Sequence, residues 1–229
     1  MKKRIVIILS NSDRMGMSGN LSGVWFDELA TPYLRLVDEG HEVILSTIKG
    51  GEAPIDIQSM MKPHDTHNNQ AFLDNSRAMY QLKNTVPIYE IDFNKIDAVL
   101  FPGGYGLMND VAVNKKVQEV ITNFDDQGKF LGFICHAPSV LVFAKKKNGD
   151  FLVKGRTVTG FTMDEDKNVD FYDHLVFHLE QELPLKGADY RKKPNWEPHM
   201  INDKNLVTGQ NIYSVELVTQ ELVDYLKKI

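Results

Sequence analysis

A single cysteine occurs among the 229 residues, and its neighbours give it the setting of a nucleophile. The apolar run Phe130-Leu-Gly-Phe-Ile leads directly into Cys135 and His136, and residues 138–147 carry a helical pattern. A strand that turns sharply into a helix at a nucleophile lifts that side chain above the carboxyl edge of a sheet, where the helix N-terminus points free N–H groups at it. Such a setting lowers the pKa of a thiol, and the thiolate is the reactive form. The pattern favours a reactive Cys135 over a buried cysteine that serves only as a small apolar side chain.

The elements around this turn alternate between short apolar runs and helical periodicity. This alternation predicts an α/β fold with a mostly parallel sheet and helices on both faces. The predicted strands are residues 4–9, 42–47, 98–101 and 130–134, with weaker strands at 157–159 and 205–208. Helical stripes of apolar residues mark 26–37, 117–124, 171–183 and 215–226. Pro32 lies inside the first helix, so we expect a kink near Thr31 or a late start with Pro32 in the first turn.

Composition excludes several classes of protein. Hydrophobic residues make up 42% of the chain and charged residues 25%, which is ordinary for a globular protein. The formal net charge of −5 gives no electrostatic basis for binding nucleic acid or an anionic membrane. The apolar stretch at 5–9 is too short for a signal peptide, and no later segment approaches a membrane span. Because one cysteine cannot form an internal disulfide, we expect a reducing compartment and a cytoplasmic protein.

Residues 50–94 interrupt the alternating pattern. This segment contains Pro54, Pro63 and Pro87 and only short helical pieces such as 71–82. It is too long for a plain connection in a compact domain. We interpret it as an elaboration over the carboxyl edge of the sheet, where α/β folds bind ligands. No repeat or linker divides the chain, so we predict one domain over residues 1–229.

Several segments, taken in order, resemble the DJ-1/PfpI superfamily and, within it, the Hsp31-like class I glutamine amidotransferase-like proteins. They are GVWFDELATPY from Gly23, DAVLFPGGYG from Asp97, GFICHAP from Gly132, GRTVTGF from Gly155 and NLVTGQN from Asn205. The resemblance covers nearly the whole chain. It implies a flavodoxin-like three-layer sandwich with a nucleophile elbow, and a homodimer.

The resemblance also implies a triad of Cys135, His136 and an acidic residue after the following strand, which by position is Asp166. Asp164 and Glu165 lie close enough that either could take that role instead. A histidine titrates near neutrality, and an acid that fixes its tautomer lets it orient the thiol or move protons. From the residues alone, the three acids fit a solvated surface loop equally well.

A second acid of the family, placed beside the cysteine sulfur, corresponds to Glu28. Helical phase alone argues against that placement, because Glu28 lies about two hundred degrees from the centre of the apolar stripe of its helix. A position on that face is usually solvated. If Glu28 does lie in the site, a carboxyl group against a thiolate should have a raised pKa and can shuttle protons.

The glycine-rich turn after the strand at 98–101 supplies candidate groups for an oxyanion hole. These are the backbone N–H groups of Gly103 and Gly104, together with that of His136. The alternative is a tight turn with no ligand. The turn lacks the glycine spacing of a dinucleotide site, so we predict no Rossmann nucleotide site.

Tyr105 and Trp196 are the predicted substrate-binding residues, although core packing explains Trp196 equally well. His64 and His67 lie three residues apart in an irregular segment without a second cluster, so we predict no metal and no cofactor. His178 is predicted on the surface of the helix at 171–183.

With these residues in place, the resemblance predicts a cofactor-independent glyoxalase of the glyoxalase III type. The small-molecule substrate would be a dicarbonyl, either methylglyoxal or another 2-oxoaldehyde. The enzyme would convert methylglyoxal to lactate, and other 2-oxoaldehydes to the matching 2-hydroxy acids. The reaction would pass through a Cys135 hemithioacetal, with Glu28 moving the proton. This places the enzyme among lyases of the D-lactate dehydratase type. The alternatives are a cysteine-dependent hydrolase (amidase or peptidase), a protein deglycase, and a stress chaperone or cysteine oxidation sensor.

Overall fold

The structure, a computed structural model, describes residues 1–16, 18–169 and 171–229. Within these residues the strands are β1 (Arg4–Ile8), β2 (Glu42–Thr47), β3 (Val86–Pro87), β4 (Ala98–Phe101), β5 (Phe130–Ile134), β6 (Thr157–Val158), β7 (Asp189–Tyr190), β8 (Met200–Asp203) and β9 (Leu206–Gly209). The α-helices are α1 (Phe26–Asp38), α2 (His67–Asp74), α3 (Ser76–Lys83), α4 (Lys115–Asp126), α5 (Met163–Asn168), α6 (Leu179–Leu185) and α7 (Val215–Lys228).

The centre of the described chain is a seven-stranded sheet in the order β3-β2-β1-β4-β5-β9-β8. Its neighbouring strands are parallel except β8, which runs antiparallel to β9. β6 and β7 form a separate parallel pair. Apolar strands such as β1, β4 and β5 are buried along nearly their whole length, because helices cover the sheet. The predicted α/β, flavodoxin-like fold class is confirmed.

The sequence pattern locates the central strands closely. The strands predicted at 42–47, 98–101 and 130–134 have those bounds, while the first strand ends at Ile8 and the one predicted at 205–208 runs from Leu206 to Gly209. The strand predicted at 157–159 lies outside the main sheet, in the pair of β6 with β7.

Two helix predictions are wrong. Residues 171–183 do not form one helix: Tyr172–His174 is a single 3-10 turn, Leu175 is extended, and α6 begins only at Leu179. The apolar residues of this segment have different destinations, because Phe171 lines a pocket while Leu179 and Leu183 are buried in the core. Downstream of Cys135, the helical stretch predicted at 138–147 is only a 3-10 helix over Ala137–Val142.

α1 begins at Phe26 with Pro32 inside it, which excludes the late start, one of the two alternatives that Pro32 suggested. This helix is buried on more than its sheet-facing side, because α2 packs against it. The ring of Phe72 on α2 meets Phe26 edge-on at 5.2 Å and Tyr33 at 4.9 Å between ring centroids. Segment 50–94 thus flanks α1 with its helices, while its earlier residues Gln58 and His64 line a pocket at the end of the sheet.

That pocket lies where parallel strands end together. Because β4 and β5 are parallel and paired from Ala98↔Phe130 to Phe101↔Phe133, their carboxyl ends meet at one edge of the sheet. The Gly103-Gly104 turn follows one end and Cys135 follows the other, so the register brings them side by side. No helix within the described residues is both long enough and apolar enough to cross a membrane.

Candidate active site

Cys135 occupies a strained turn between β5 and the 3-10 helix that follows. Its φ is 61°, a left-handed conformation that costs energy for a residue other than glycine and tends to occur at functional sites. Two backbone hydrogen bonds hold it there: Cys135 N–H donates to the Gly209 carbonyl at 3.0 Å, and Phe161 N–H donates to the Cys135 carbonyl at 2.9 Å. The thiol is therefore fixed at the sheet edge by β9 and by the chain after β6.

Gly103 joins the cysteine to a buried carboxyl group. Its N–H donates to Glu28 Oε2 at 2.6 Å, and its carbonyl accepts from Trp25 N–H at 3.1 Å. A Cβ atom at Gly103 would lie 2.6 Å from both Cys135 Cβ and Glu28 Oε2. Only glycine leaves room for these groups to approach, so this position places Glu28 beside the thiol.

Glu28 is fully buried, so the solvated position suggested by its helical phase is wrong. Neighbouring segments cover Glu28 in the first turn of α1, because Phe26 N–H donates to Ser59 Oγ from segment 50–94 and the Gly103 N–H donates to the Glu28 carboxyl group. Burial raises the pKa of Glu28 to about 8, although hydrogen bonds from Gly103 and Cys135 oppose the shift. The carboxyl group is therefore mostly protonated at neutral pH.

The pKa of Cys135 also moves upward. Burial raises the thiol pKa well above its ordinary value, and the Glu28 and Glu165 carboxylates add to the effect, while the His136 N–H opposes it. The lowered thiol pKa predicted from a helix N-terminus is wrong here, since the short 3-10 helix does not offset the cost of charge in an apolar pocket. Cys135 and Glu28 both hold their protons in the resting site.

His136 connects the thiol to Asp166. Cys135 Sγ lies 3.4 Å from His136 Nδ1, and His136 Nε2 lies 3.0 Å from Asp166 Oδ1, with both side chains buried. Because a carboxylate accepts, the hydrogen of the neutral imidazole belongs on Nε2, which leaves Nδ1 free to accept the thiol proton. The rings of Tyr105 and Phe161 contact the imidazole, with centroids 4.2 Å and 4.4 Å away.

The three consecutive acids have different environments. Asp164 is exposed and pairs with Lys167 and Lys192. Glu165 is buried and turns away from His136, whereas Asp166 faces His136. The alternative of a solvated surface loop does not hold, because the acids begin helix α5, whose first turn is capped by Thr162 and buries two of the three.

The predicted oxyanion-hole donors are not equivalent. The N–H of Gly103 already donates to Glu28, so this residue holds the carboxyl group and not an oxyanion. The N–H of His136 lies close enough to the thiol to oppose the rise in its pKa. Gly104 lines the pocket at φ 119°, and its N–H donates to no acceptor within the described chain. Gly104 and His136 therefore remain as candidate donors to a developing oxyanion.

A cavity of about 90 Å³ opens above the thiol. This is roughly three times the ~30 Å³ that a water molecule occupies in the liquid, so it suits a molecule of few heavy atoms. Tyr105 and Trp196, the predicted substrate-binding residues, both line it. Trp196 has a φ of 65°, and its ring meets Phe161 edge-on at 5.7 Å.

The sequence interpretation missed several pocket residues: Trp25, Gln58, His64, Phe161 and Phe171. Trp25 precedes α1 directly, so its place at the carboxyl edge could have been inferred from the helix start. Gln58 and His64 belong to the irregular segment 50–94, where no periodicity indicates which side chains turn inward. His64 packs edge-on against Trp25 at 4.9 Å, whereas His67 begins α2.

Comparison with known proteins places this geometry in context. Residues 27–224 match the DJ-1/PfpI family. Glyoxalase 3 of Candida albicans is 23% identical, with 97% of this chain and 98% of that protein covered. The glutathione-independent glyoxalase of Saccharomyces cerevisiae is 24% identical, with coverage of 99% and 98%. Among solved structures, the 24 kDa rapid encystment protein of Francisella tularensis is 28% identical, with a TM-score of 0.93 and coverage of 98% and 99%.

Proposed function

The chain belongs to the DJ-1/PfpI family, and on that premise we propose that it is a glutathione-independent glyoxalase that converts methylglyoxal and related 2-oxoaldehydes to 2-hydroxy acids. Similarity to glyoxalases over nearly the full chain supports this activity. The observation that carries the proposal is the buried Glu28 carboxyl group, which the N–H of Gly103 holds beside the elbow cysteine. A carboxyl group with a pKa of about 8 beside a thiol can act as an acid and as a base in one catalytic cycle.

The first step is addition of the Cys135 sulfur to the aldehyde carbon. The new S–C bond forms while the carbonyl electron pair moves to oxygen, which takes the proton of Glu28. The thiol proton passes to His136 Nδ1, 3.4 Å from the sulfur. The product is a neutral hemithioacetal beside a Glu28 carboxylate and a His136 imidazolium, whose charge Asp166 stabilises at 3.0 Å.

The second step moves hydrogen between adjacent carbons. We number the former aldehyde carbon C1 and the adjacent carbonyl carbon C2. The Glu28 carboxylate takes the proton from C1, and the electron pair left on C1 forms the double bond of an enediol. The oxygen on C2 receives the His136 proton. Glu28 then returns its proton to C2 while His136 takes the C1 hydroxyl proton. C1 is thereby oxidised to a thioester and C2 is reduced to an alcohol, with no external oxidant or reductant. Gly104 lines the pocket, and its N–H donates to the oxygen that gains charge.

Hydrolysis completes the reaction. Water adds to the thioester carbon and gives one proton to the Glu28 carboxylate, and the departing sulfur takes the proton of His136. The sum is methylglyoxal plus water to lactate, and Cys135, Glu28 and His136 regain their starting protons. The narrow aromatic pocket holds a small dicarbonyl close to the thiol and limits access for a polypeptide, so it favours this reaction over amide hydrolysis.

The test is lactate formation from methylglyoxal without added glutathione or metal, measured with D- and L-specific lactate dehydrogenases. Wild type is expected to form lactate, Cys135→Ala none, and Glu28→Gln at least about 10²-fold less than wild type. Glu216→Gln, an exposed change on α7, serves as the control and should match wild type. Wild type without lactate would reject the glyoxalase, and activity retained in Glu28→Gln would remove Glu28 from the mechanism.

The family resemblance also supports a homodimer, and the single cysteine supports a reducing, cytoplasmic compartment; we add both to the proposal. Light scattering on the purified protein should give twice the 26.1 kDa mass of one chain. A mass of one chain would reject the dimer and leave the proposed reaction unaffected, because every residue assigned to it lies on the same chain.

A further inference from the structure

A second histidine faces the carboxylate of the site. Asp166 Oδ1 lies 3.0 Å from His136 Nε2, and its other oxygen, Oδ2, lies 3.5 Å from His178 Nδ1. The Asp166 side chain is 2% exposed and that of His178 is 14% exposed. The carboxylate therefore lies between two imidazoles, of which His136 borders the pocket and His178 does not.

His178 is not the helix-surface residue that the sequence predicted. It immediately precedes α6, and its ring stacks on that of Tyr172, with centroids 4.0 Å apart and planes 16° from parallel. The stacking holds the imidazole edge towards α5. Its Nδ1 is buried and has no hydrogen-bond partner within the described residues. A buried nitrogen without a partner is costly, and Asp166 Oδ2 is an acceptor within reach of a small rotation.

Asp166 needs such a partner. A buried carboxylate requires donors for both oxygens, or it becomes protonated or rotates towards other donors. Oδ1 lies 3.0 Å from His136 Nε2, and among the described residues the ring nitrogen that faces Oδ2 is His178 Nδ1, at 3.5 Å. If Asp166 rotated or gained a proton, His136 would lose the acceptor that keeps its hydrogen on Nε2, and Nδ1 would no longer be free for the thiol proton.

We propose that His178 is a positioning residue for this site: it donates from Nδ1 to Asp166 Oδ2 and so holds Asp166 in the orientation that fixes the tautomer of His136. It touches neither the pocket nor the thiol and acts only through Asp166. The kinetic test of this proposal rests on the proposed glyoxalase function. The spectroscopic test depends only on the hydrogen bonds of the chain itself.

The kinetic test compares two replacements of the same ring. His178→Phe keeps the stacking on Tyr172 but removes the donor, and we expect kcat to fall about tenfold or more with KM within about twofold. His178→Gln restores an N–H donor and should recover kcat to within about threefold of wild type. His174→Phe, at an exposed histidine of the same segment, is the matched control and should behave as wild type. Wild-type kcat in His178→Phe, or no recovery in His178→Gln, would overturn the proposal.

A second readout does not depend on turnover. Nitrogen NMR of isotopically labelled histidines reports which ring nitrogen of His136 carries hydrogen. Wild type and His178→Gln should show the Nε2–H tautomer, whereas His178→Phe should show a mixture of tautomers. His178→Leu repeats the test with a smaller apolar side chain if the Phe variant does not fold. An unchanged Nε2–H tautomer in the apolar variants would refute the positioning role even if the protein turned over no dicarbonyl.

Discussion

Glu165 Oε1 accepts a hydrogen bond from the backbone N–H of Trp196 at 2.9 Å. The same oxygen accepts from the side chains of Gln210 and Asn211, and the other accepts from Thr162 N–H. One buried carboxylate thus ties the pocket wall to the start of α5 and to the chain after β9. It also holds Trp196 in its left-handed conformation.

Glu165→Gln should therefore loosen that wall. The amide turns one acceptor into a donor that faces other donors, so we expect the free energy of unfolding to fall by about 2–3 kcal/mol. Trp25 and Trp196 are the only tryptophans in the chain, so Trp25→Phe leaves fluorescence that reports Trp196 alone. In that background Glu165→Gln should shift the emission to longer wavelength. Unchanged emission and stability would show that Glu165 does not hold the wall.

Gly103→Ala should disrupt the site with little damage elsewhere. The added methyl group would lie 2.6 Å from both Cys135 Cβ and Glu28 Oε2, which forces thiol and carboxyl apart. We expect lactate formation to fall about 10²-fold, the usual effect of displacing reacting groups by about 1 Å. Gly128→Ala is the control: its Cβ meets open space at a φ of 65°, so it should lose about 1–2 kcal/mol of stability and keep wild-type activity. Equal activity in both variants would contradict the crowding argument.

Stability should depend on pH through Glu28. Its pKa rises from an ordinary value of 4.5 to about 8 on folding, so the native state holds a proton that the unfolded chain releases between these values. The contribution of the Glu28 proton to the free energy of unfolding is therefore complete below pH 4.5. It is lost as pH rises to 8, at up to about 1.4 kcal/mol per pH unit. Urea unfolding between pH 5 and 8 should show Glu28→Gln gaining stability relative to wild type as pH rises. A constant difference would mean that Glu28 has an ordinary pKa.

Cys135 should react slowly with alkylating reagents at neutral pH. Burial raises its thiol pKa well above the ordinary value, so the thiolate fraction at pH 7 is below that of free cysteine. Because it is the only cysteine, mass spectrometry of the iodoacetamide adduct reports this residue alone. The rate should still rise with pH where the rate of free cysteine has levelled off, and Cys135→Ala should gain no adduct. An alkylation rate at pH 7 above that of free cysteine would instead support the lowered thiol pKa that the elbow predicted.

Asp166→Asn and Asp164→Asn separate two neighbouring acids. The amide at Asp166 favours the wrong His136 tautomer, and we expect kcat to fall roughly 10²–10⁴-fold, as for triad acids in general. Asp164 is exposed and pairs only with lysines among the described residues, so its amide should leave kcat unchanged. Loss of activity in Asp164→Asn would contradict the assignment of Asp166 as the acid that fixes the His136 tautomer.

The sequence was most informative where one local rule decides the structure. β2, β4 and β5 follow from buried apolar runs, and the elbow follows from a strand that ends at Cys135. Helical phase predicted the wrong exposure for Glu28, because segment 50–94 packs over the part of α1 that was expected to face solvent. The helix predicted at 171–183 failed because Phe171 serves the pocket, a destination that periodicity does not reveal.

The residues of the site were proposed from family resemblance, and their mutual distances required the fold. Nothing local distinguishes Asp166 from Glu165: one position along α5 decides which carboxylate meets His136 and which meets Trp196. The direction of the Cys135 pKa likewise depends on how deeply the pocket buries the thiol, and the identity of the neighbouring residues does not specify that depth.

Glu28 and Gly103 are 75 positions apart along the chain, and His136 and Asp166 are 30 apart. These contacts are non-local, so closing them carries the loop entropy that slows the folding of such topologies. A chain with only its local helices formed has an exposed, ordinary thiol and no site. The loss of fast thiol labelling during refolding therefore reports when the β4–β5 edge closes, and because the chain has one cysteine, that rate can be measured without an added probe.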